Sequence, residues 1–171
     1  TEAVRMERHC SNALELAQRG YITIAPDYPR FADNHYQFEK VGKYASNTMK
    51  GIWNHIRAVD LLQTLPQVDP ERIGCIGHSL GGHNTIFLAV FDTRIKAAVS
   101  SCGFNSFFKY YSGNLKGWAS LSYMPRISSD YHNDPAQMPF DFPELIAVIA
   151  PRAFFTNSPL EDANFEVSGV R

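Results

Sequence analysis

The run Arg72-Ile73-Gly74-Cys75-Ile76-Gly77-His78-Ser79-Leu80-Gly81-Gly82 constrains this chain more than any other stretch. Ile73 to Ile76 is a short apolar run ahead of a glycine, which reads as a buried strand. The segment that follows, His83-Asn84-Thr85-Ile86-Phe87-Leu88-Ala89-Val90, is long and apolar enough for a buried helix. Between the two, Gly77-His78-Ser79-Leu80-Gly81 has the G-x-S-x-G pattern of a strand-to-helix elbow. Such a turn holds the serine in a strained conformation with its hydroxyl outward. Strand and helix then nearly touch, so Gly77 and Gly81 are expected where a side chain would clash. The same turn directs the backbone N–H of Leu80 to the place where an oxyanion would form. A capping serine in a glycine-rich turn would not require three glycines around it.

Composition narrows the class. The 171 residues suffice for one domain with a sizeable core. Charged residues make up 19% and the net charge is −1, with no basic stripe, so nucleic-acid and membrane-surface partners are not expected. No apolar stretch approaches the ~20 residues of a membrane span. Three cysteines, Cys10, Cys75 and Cys102, are too few and too irregular for a disulfide framework or a zinc pattern. No metal or cofactor is implied. Cys75 and Cys102 lie in apolar strand patterns and read as small buried hydrophobes.

Along the chain, residues 4–19 carry a ragged helical stripe that ends at Gly20. Tyr21-Ile22-Thr23-Ile24-Ala25 reads as a strand closed by Pro26. A helix is expected from Ser46 or Asn47 to Leu65, with Met49, Ile52, Trp53, Ile56, Val59 and Leu62 on its apolar stripe and His55 off it, in solvent. Ile95 to Ser101 reads as a strand, 143–150 as a short helix and Ala153 to Asn157 as a further strand. Residues 104–142 break this rhythm with ten aromatic residues among Gly, Asn and Pro. They are expected to form an insertion that acts as a lid, with Phe107, Tyr110, Tyr111 and Trp118 lining a substrate pocket. The alternation of strands and helices predicts a single α/β domain over 1–171, with a mostly parallel sheet flanked by helices.

A serine becomes a useful nucleophile when a base accepts its proton and a carboxylate orients that base. In chains built on this elbow the acid and then the histidine follow the serine. Asp162 stands just past the C-terminal end of the Ala153–Asn157 strand and is the first candidate for the acid, with Glu161 the second.

The sequence resembles the α/β-hydrolase superfamily, and within it the dienelactone hydrolase-like and acetyl xylan esterase-like serine hydrolases, with the prolyl oligopeptidase group nearby. The likeness is carried by Gly20–Tyr28, Val68–Gly74, the Gly77–Gly82 elbow and Ala150-Pro151-Arg152. It implies Ser79 as nucleophile, Asp162 as triad acid and the Leu80 amide as oxyanion donor, acting on a small-molecule carboxylic ester through an acyl-enzyme. One departure is that true dienelactone hydrolases carry cysteine where this chain has Ser79. The alternatives are a prolyl oligopeptidase-like peptidase and a non-catalytic binding module on the same fold.

The resemblance also implies that the triad histidine follows a further helix and strand beyond the acid, about 17 residues of average elements. Only 171 − 162 = 9 residues remain, none of them histidine. The second oxyanion donor is implied ahead of the first helix. The chain is therefore expected to be part of a longer enzyme and to have little activity alone. Of the histidines nearer to hand, His78 is expected to turn away from Ser79, His83 to pack or cap, and His132 alone to be free to swing in. The superfamily's strand order makes Tyr21–Ala25, Ile73–Ile76, Ile95–Ser101 and Ala153–Asn157 its fourth to seventh strands, with the separating third strand missing. The expectation is a three-stranded parallel core with Ser79 at its C-terminal edge. Tyr21–Ala25 is then displaced or left without a ladder partner, and open sheet edges offer a route to oligomers.

Overall fold

The computed structural model describes residues 11–171. The first helix, α1, runs over Ser11–Gln18. The Val4, Met6 and Cys10 part of the expected stripe lies outside the described residues. Gly20 follows α1 at φ 92°, a left-handed turn that suits glycine.

Three parallel strands form the sheet in the order β1 (Ile73–His78), β2 (Ile95–Ser101), β3 (Ala153–Asn157). Their register aligns His78 with Ser101 and Ser101 with Asn157, so all three strands finish on one line. Two further hydrogen bonds extend that line: Ser79 N–H donates to the Ser101 carbonyl at 2.8 Å, and Cys102 N–H to the Asn157 carbonyl at 3.0 Å. The loops that carry chemistry thus leave from one level edge, as expected for an open α/β sheet.

Tyr21–Ala25 forms no strand. A β-branched run becomes a strand only with a ladder partner, and none stands beside it among the described residues. Tyr21, Ile22 and Ile24 are exposed, as is Ile76 on β1, whose outer edge carries no neighbour in the described sheet.

Helix α2 (Asn47–Thr64) starts where its cap dictates: Ser46 Oγ accepts from Met49 N–H at 3.0 Å. Its buried face is Asn47, Thr48, Gly51, Ile52 and Val59. Met49 and Trp53, expected on the apolar stripe, are exposed; Trp53 is covered instead by the Arg57 guanidinium, 4.5 Å from its ring. His55, expected in solvent, is half-buried, and this burial pushes its imidazole below its usual pKa. Helix α3 (Leu80–Phe91) is buried from Gly82 to Ala89, with His83, Asn84 and Thr85 among its buried residues, and packs on β1 and β2 and between α2 and α4 (Phe142–Ile149). No helix among the described residues is long and apolar enough to cross a membrane.

Residues 104–141 contain only short turns, yet they pack on the core. Phe104, Phe107, Tyr110, Leu115, Trp118 and Ile127 are buried with Phe142. One carboxylate fastens the segment. Asp141 accepts from Phe107 N–H (2.9 Å), Ser106 Oγ–H (2.7 Å) and Phe142 N–H (2.7 Å), while Glu144 accepts from Asp141 N–H in return. This is a capping box whose cap also holds the far end of the insertion. Asp141→Ala removes the three bonds that end on the carboxylate and is expected to lower the unfolding free energy by about 2–4 kcal/mol, read by urea denaturation. A loss below about 0.5 kcal/mol would mean that the insertion is held by its aromatic contacts alone.

Candidate active site

Ser79 stands between β1 and α3 with φ 52° and ψ −115°, a backbone conformation that side chains rarely adopt. Holding it there costs of order 1–3 kcal/mol, which its surroundings must offset. Two hydrogen bonds fix it: its N–H on Ser101 and its carbonyl accepting from His83 N–H at 3.0 Å. The steric reason lies next door. A Cβ on Gly77 would overlap the carbonyl of Gly81, so strand and helix meet backbone to backbone. A Cβ on Gly82 would come within 2.9 Å of Gly103 and of Ser100 Oγ. The expectation for Gly81 needs correcting: a Cβ there meets nothing within 4 Å. The close approach is onto the Gly81 backbone, not from its side-chain position, and the second demanding glycine is Gly82.

Leu80 is the first residue of α3, so its N–H has no intrahelical acceptor and sits beside the serine at the positive end of the helix. Two cavities open around Ser79. The smaller, about 200 Å³, is lined by Leu80, His83, Tyr110, Gly117, Trp118 and Tyr123. The larger, about 480 Å³, is lined by His78, Cys102, Pro159, Glu161, Asp162 and Ala163. Ser79, Asn164 and Phe165 line both.

Asp162 therefore shares a cavity with Ser79. Its Oδ1 accepts from Asn164 N–H (2.8 Å) and Phe165 N–H (3.0 Å), which fixes the carboxylate on its turn. Glu161 lines the same cavity and is exposed. His78 is exposed, and its Nδ1 is 3.1 Å from Ser101 Oγ. His132 is exposed at φ 55° and lines neither cavity. Cys102 is not within a strand. It follows β2 at φ 48° and lines the larger cavity. Cys75 is half-buried, and burial pushes its thiol up to about 12.

Of the four aromatic residues expected in the pocket, Tyr110 and Trp118 line the smaller cavity. Phe107 does not: it is wholly buried beneath, against Trp118, Phe140 and Phe142. Tyr111 does not either. It is turned outward, edge-on to Tyr110, and its hydroxyl donates to Asn164 Oδ1 at 3.2 Å. The segment has no period from which to choose the inward residues. Tyr123, Asn164 and Phe165 were not singled out in the sequence. His83 was expected only to pack or cap, although its place four residues after Ser79 puts it one helical turn away.

His83 is 1% exposed, stacked on Trp118 with ring centroids at 4.7 Å and edge-on to Phe87 at 4.7 Å. Burial pushes its imidazole down to about 3.

Most of the chain, residues 23–168, matches the family model for glucuronyl esterases of fungi. The chain belongs to the glucuronyl esterase family. The α/β-hydrolase resemblance read from the sequence thus holds, and a glucuronyl esterase is consistent with the acetyl xylan esterase-like serine hydrolases named within it. The glucuronoyl esterase of Solibacter usitatus shares the fold, with a TM-score of 0.61 over 87% of this chain and 22% identity. Carbohydrate esterase MZ0003, from an unknown prokaryotic organism, is 28% identical over 153 residues, 81% of this chain. A Bacillus subtilis protein designated a hydrolase, YtaP, is 28% identical over 163 residues, 91% of this chain. The chain spans 52% of YtaP, 35% of MZ0003 and 37% of the Solibacter esterase.

Two predictions follow from the elbow and its helix. Gly77→Ala is expected to cost about 2–3 kcal/mol by overpacking, whereas Gly81→Ala, free of contacts and inside a helix, is expected to be neutral or to gain up to about 1 kcal/mol. Paired thermal melts check the contrast, and equal losses would refute the steric assignment. The second concerns pH. His83 is neutral when folded, while the unfolded chain binds its proton near the ordinary 6.5. Its stability contribution is therefore complete above about pH 6.5 and falls as pH drops towards 3, by about 1.4 kcal/mol per pH unit. Urea titrations from about pH 7 to 4 should show that slope and its loss in His83→Gln.

Proposed function

We propose that the polypeptide carrying this chain is a serine carboxylic ester hydrolase that works through an acyl-enzyme on Ser79. The observation that carries this reading is the backbone of Ser79. A strained φ of 52° is maintained by a Gly77–Gly81 backbone approach at the level edge of the sheet, beside two cavities. Strain kept at that point sets a hydroxyl outward above a helix N-terminus.

In the proposed reaction the Ser79 hydroxyl attacks the ester carbonyl and loses its proton to a histidine. The carbonyl oxygen takes up the negative charge beside the Leu80 N–H, and the alcohol leaves with the proton. Water then releases the acid. Asp162 orients the histidine. Among the described residues His83 is buried within aromatic rings and His78 is bonded at Ser101, so the base is proposed to come from elsewhere in the polypeptide. Residues 104–142 serve as a lid, since Tyr110, Gly117, Trp118 and Tyr123 roof the smaller cavity. The open outer edge of β1 is the proposed place for a further strand of the same polypeptide, and a second copy of the chain is the competing occupant.

The relatives' names supply a substrate class. A carbohydrate esterase and a glucuronoyl esterase support an ester whose acyl part is a sugar acid. The test compares the full polypeptide with its Ser79→Ala variant on the methyl ester of glucuronic acid, an acetylated sugar and a proline-containing peptide anilide. Hydrolysis of the uronate ester is expected to dominate and to fall by about 10⁴–10⁶-fold in Ser79→Ala. Preferred cleavage of the peptide would favour the peptidase alternative, and an unchanged rate in the variant would sink the serine mechanism.

A further inference from the structure

The Asp162 carboxylate accepts from Asn164 N–H and Phe165 N–H, so whatever places those amides also places the carboxylate. What places them is the insertion after β2. The Phe165 ring is buried against Tyr110 and Trp118, with ring centroids at 5.9 Å and 5.8 Å. Asn105 Nδ2–H donates to the Glu166 carbonyl at 3.1 Å, and Ser106 N–H to the Gly169 carbonyl at 2.9 Å. Tyr111 Oη–H donates to Asn164 Oδ1 at 3.2 Å. Residues 105–118 thus grip the segment after Asp162 at Asn164, Phe165, Glu166 and Gly169.

The grip is deepest at Asn105. That side chain is fully buried and lies so close to Gly169 that a Cβ there would overlap its Oδ1. The next two residues, Ser106 and Phe107, are fastened to Asp141 at the start of α4. A buried amide donor engaged in this way is costly to displace, because moving it leaves donor and acceptor unpaired. The bond between Tyr111 and Asn164 joins two exposed side chains and adds little. Asn105 lines neither cavity at Ser79, so it acts on the site through the segment it holds. Placement matters there: a shift of about 1 Å in a reacting geometry can cost about 10²-fold in rate.

We propose that Asn105, together with Phe165, is a positioning residue for Asp162. Asn105 holds the Glu166 carbonyl, Phe165 is held by Tyr110 and Trp118, and the two amides that support the carboxylate are fixed between them. The proposal rests on the ester hydrolase reading, in which Asp162 orients the base. The insertion then has two tasks: it walls the smaller cavity and it sets the acid.

Two measurements on the full polypeptide test this. Hydrogen exchange, read by mass spectrometry on peptides spanning 162–167, follows the turn. In Asn105→Ala the Asn164 and Phe165 amides are expected to exchange at least about tenfold faster, while those of α3 keep their rates. The second measurement is a double-mutant cycle on kcat/KM for p-nitrophenyl acetate. Asn105→Ala is expected to lower kcat/KM by about 10–100-fold alone, and by less than about twofold when Asp162→Ala is already present. Unchanged exchange at the turn, equal acceleration in α3, penalties that multiply in the cycle, or an Asp162→Ala variant as fast as wild type overturns the proposal. If Asn105→Ala does not fold, Phe165→Leu decides by exchange alone, since that ring also lines both cavities. Faster exchange at the turn supports the proposal and an unchanged rate overturns it. Hydrolysis that depends on Ser79 but with unchanged exchange defeats this inference alone, whereas faster exchange in a protein without such hydrolysis defeats the hydrolase reading alone.

Discussion

The site depends on one contact in which no side chain takes part. Gly77 at the end of β1 lies so close to the Gly81 carbonyl that a single added carbon could not fit. That approach forces the three residues between them into a turn tight enough to leave Ser79 at positive φ. The strain is local, and the restraint comes from outside it. Ser79 N–H is tied to Ser101 at the end of β2, and the first turn of α3 lies on β2 through Gly82, Gly103 and Ser100, whose Oγ–H donates to the Gly82 carbonyl at 3.1 Å. Every residue of α3 from Gly82 to Ala89 is buried, so the helix has little freedom to relax and release the turn.

The remaining geometry follows from the level finish of the three strands. Because His78, Ser101 and Asn157 share one row, the loops after β1, β2 and β3 emerge together. These loops bring Ser79, Cys102 and Asp162 to one cavity. The insertion after β2 brings Tyr110, Trp118 and Tyr123 to the cavity at Ser79, and Asp141 ties its start, Ser106 and Phe107, onto α4. Its aromatic residues divide by depth. Phe107 and Phe142 are wholly buried in the core, and Tyr110, Trp118 and Tyr123 line the smaller cavity.

The elements that were legible in the sequence are those whose cause is local. β2 and β3 coincide with their apolar runs and α2 begins at the serine that caps it, whereas the three-stranded parallel core was implied by the superfamily's strand order. Tyr21–Ala25 lacks a ladder partner, as expected, and without one its β-branched run forms no strand, although the run alone reads as one. Met49 and Trp53 keep helical spacing but lie beyond the edge of a narrow buried face. Gly81 was credited with a clash that belongs to Gly77, since a motif records that glycines are needed without saying which Cβ would collide. Phe107 and Tyr111 were expected at the pocket because aromatic content is visible in a sequence and depth is not. His83 is the opposite case: its spacing from Ser79 was visible, but the absence of any partner for its nitrogens is a property of three dimensions.

The central claim is that the strained serine is the nucleophile. The most direct measurement treats the full polypeptide with a fluorophosphonate and maps the adduct by peptide mass spectrometry. The account predicts one adduct on Ser79, formed at a rate that Gly77→Ala reduces sharply and Gly81→Ala does not. An unlabelled protein, or an adduct on any other residue, would contradict it.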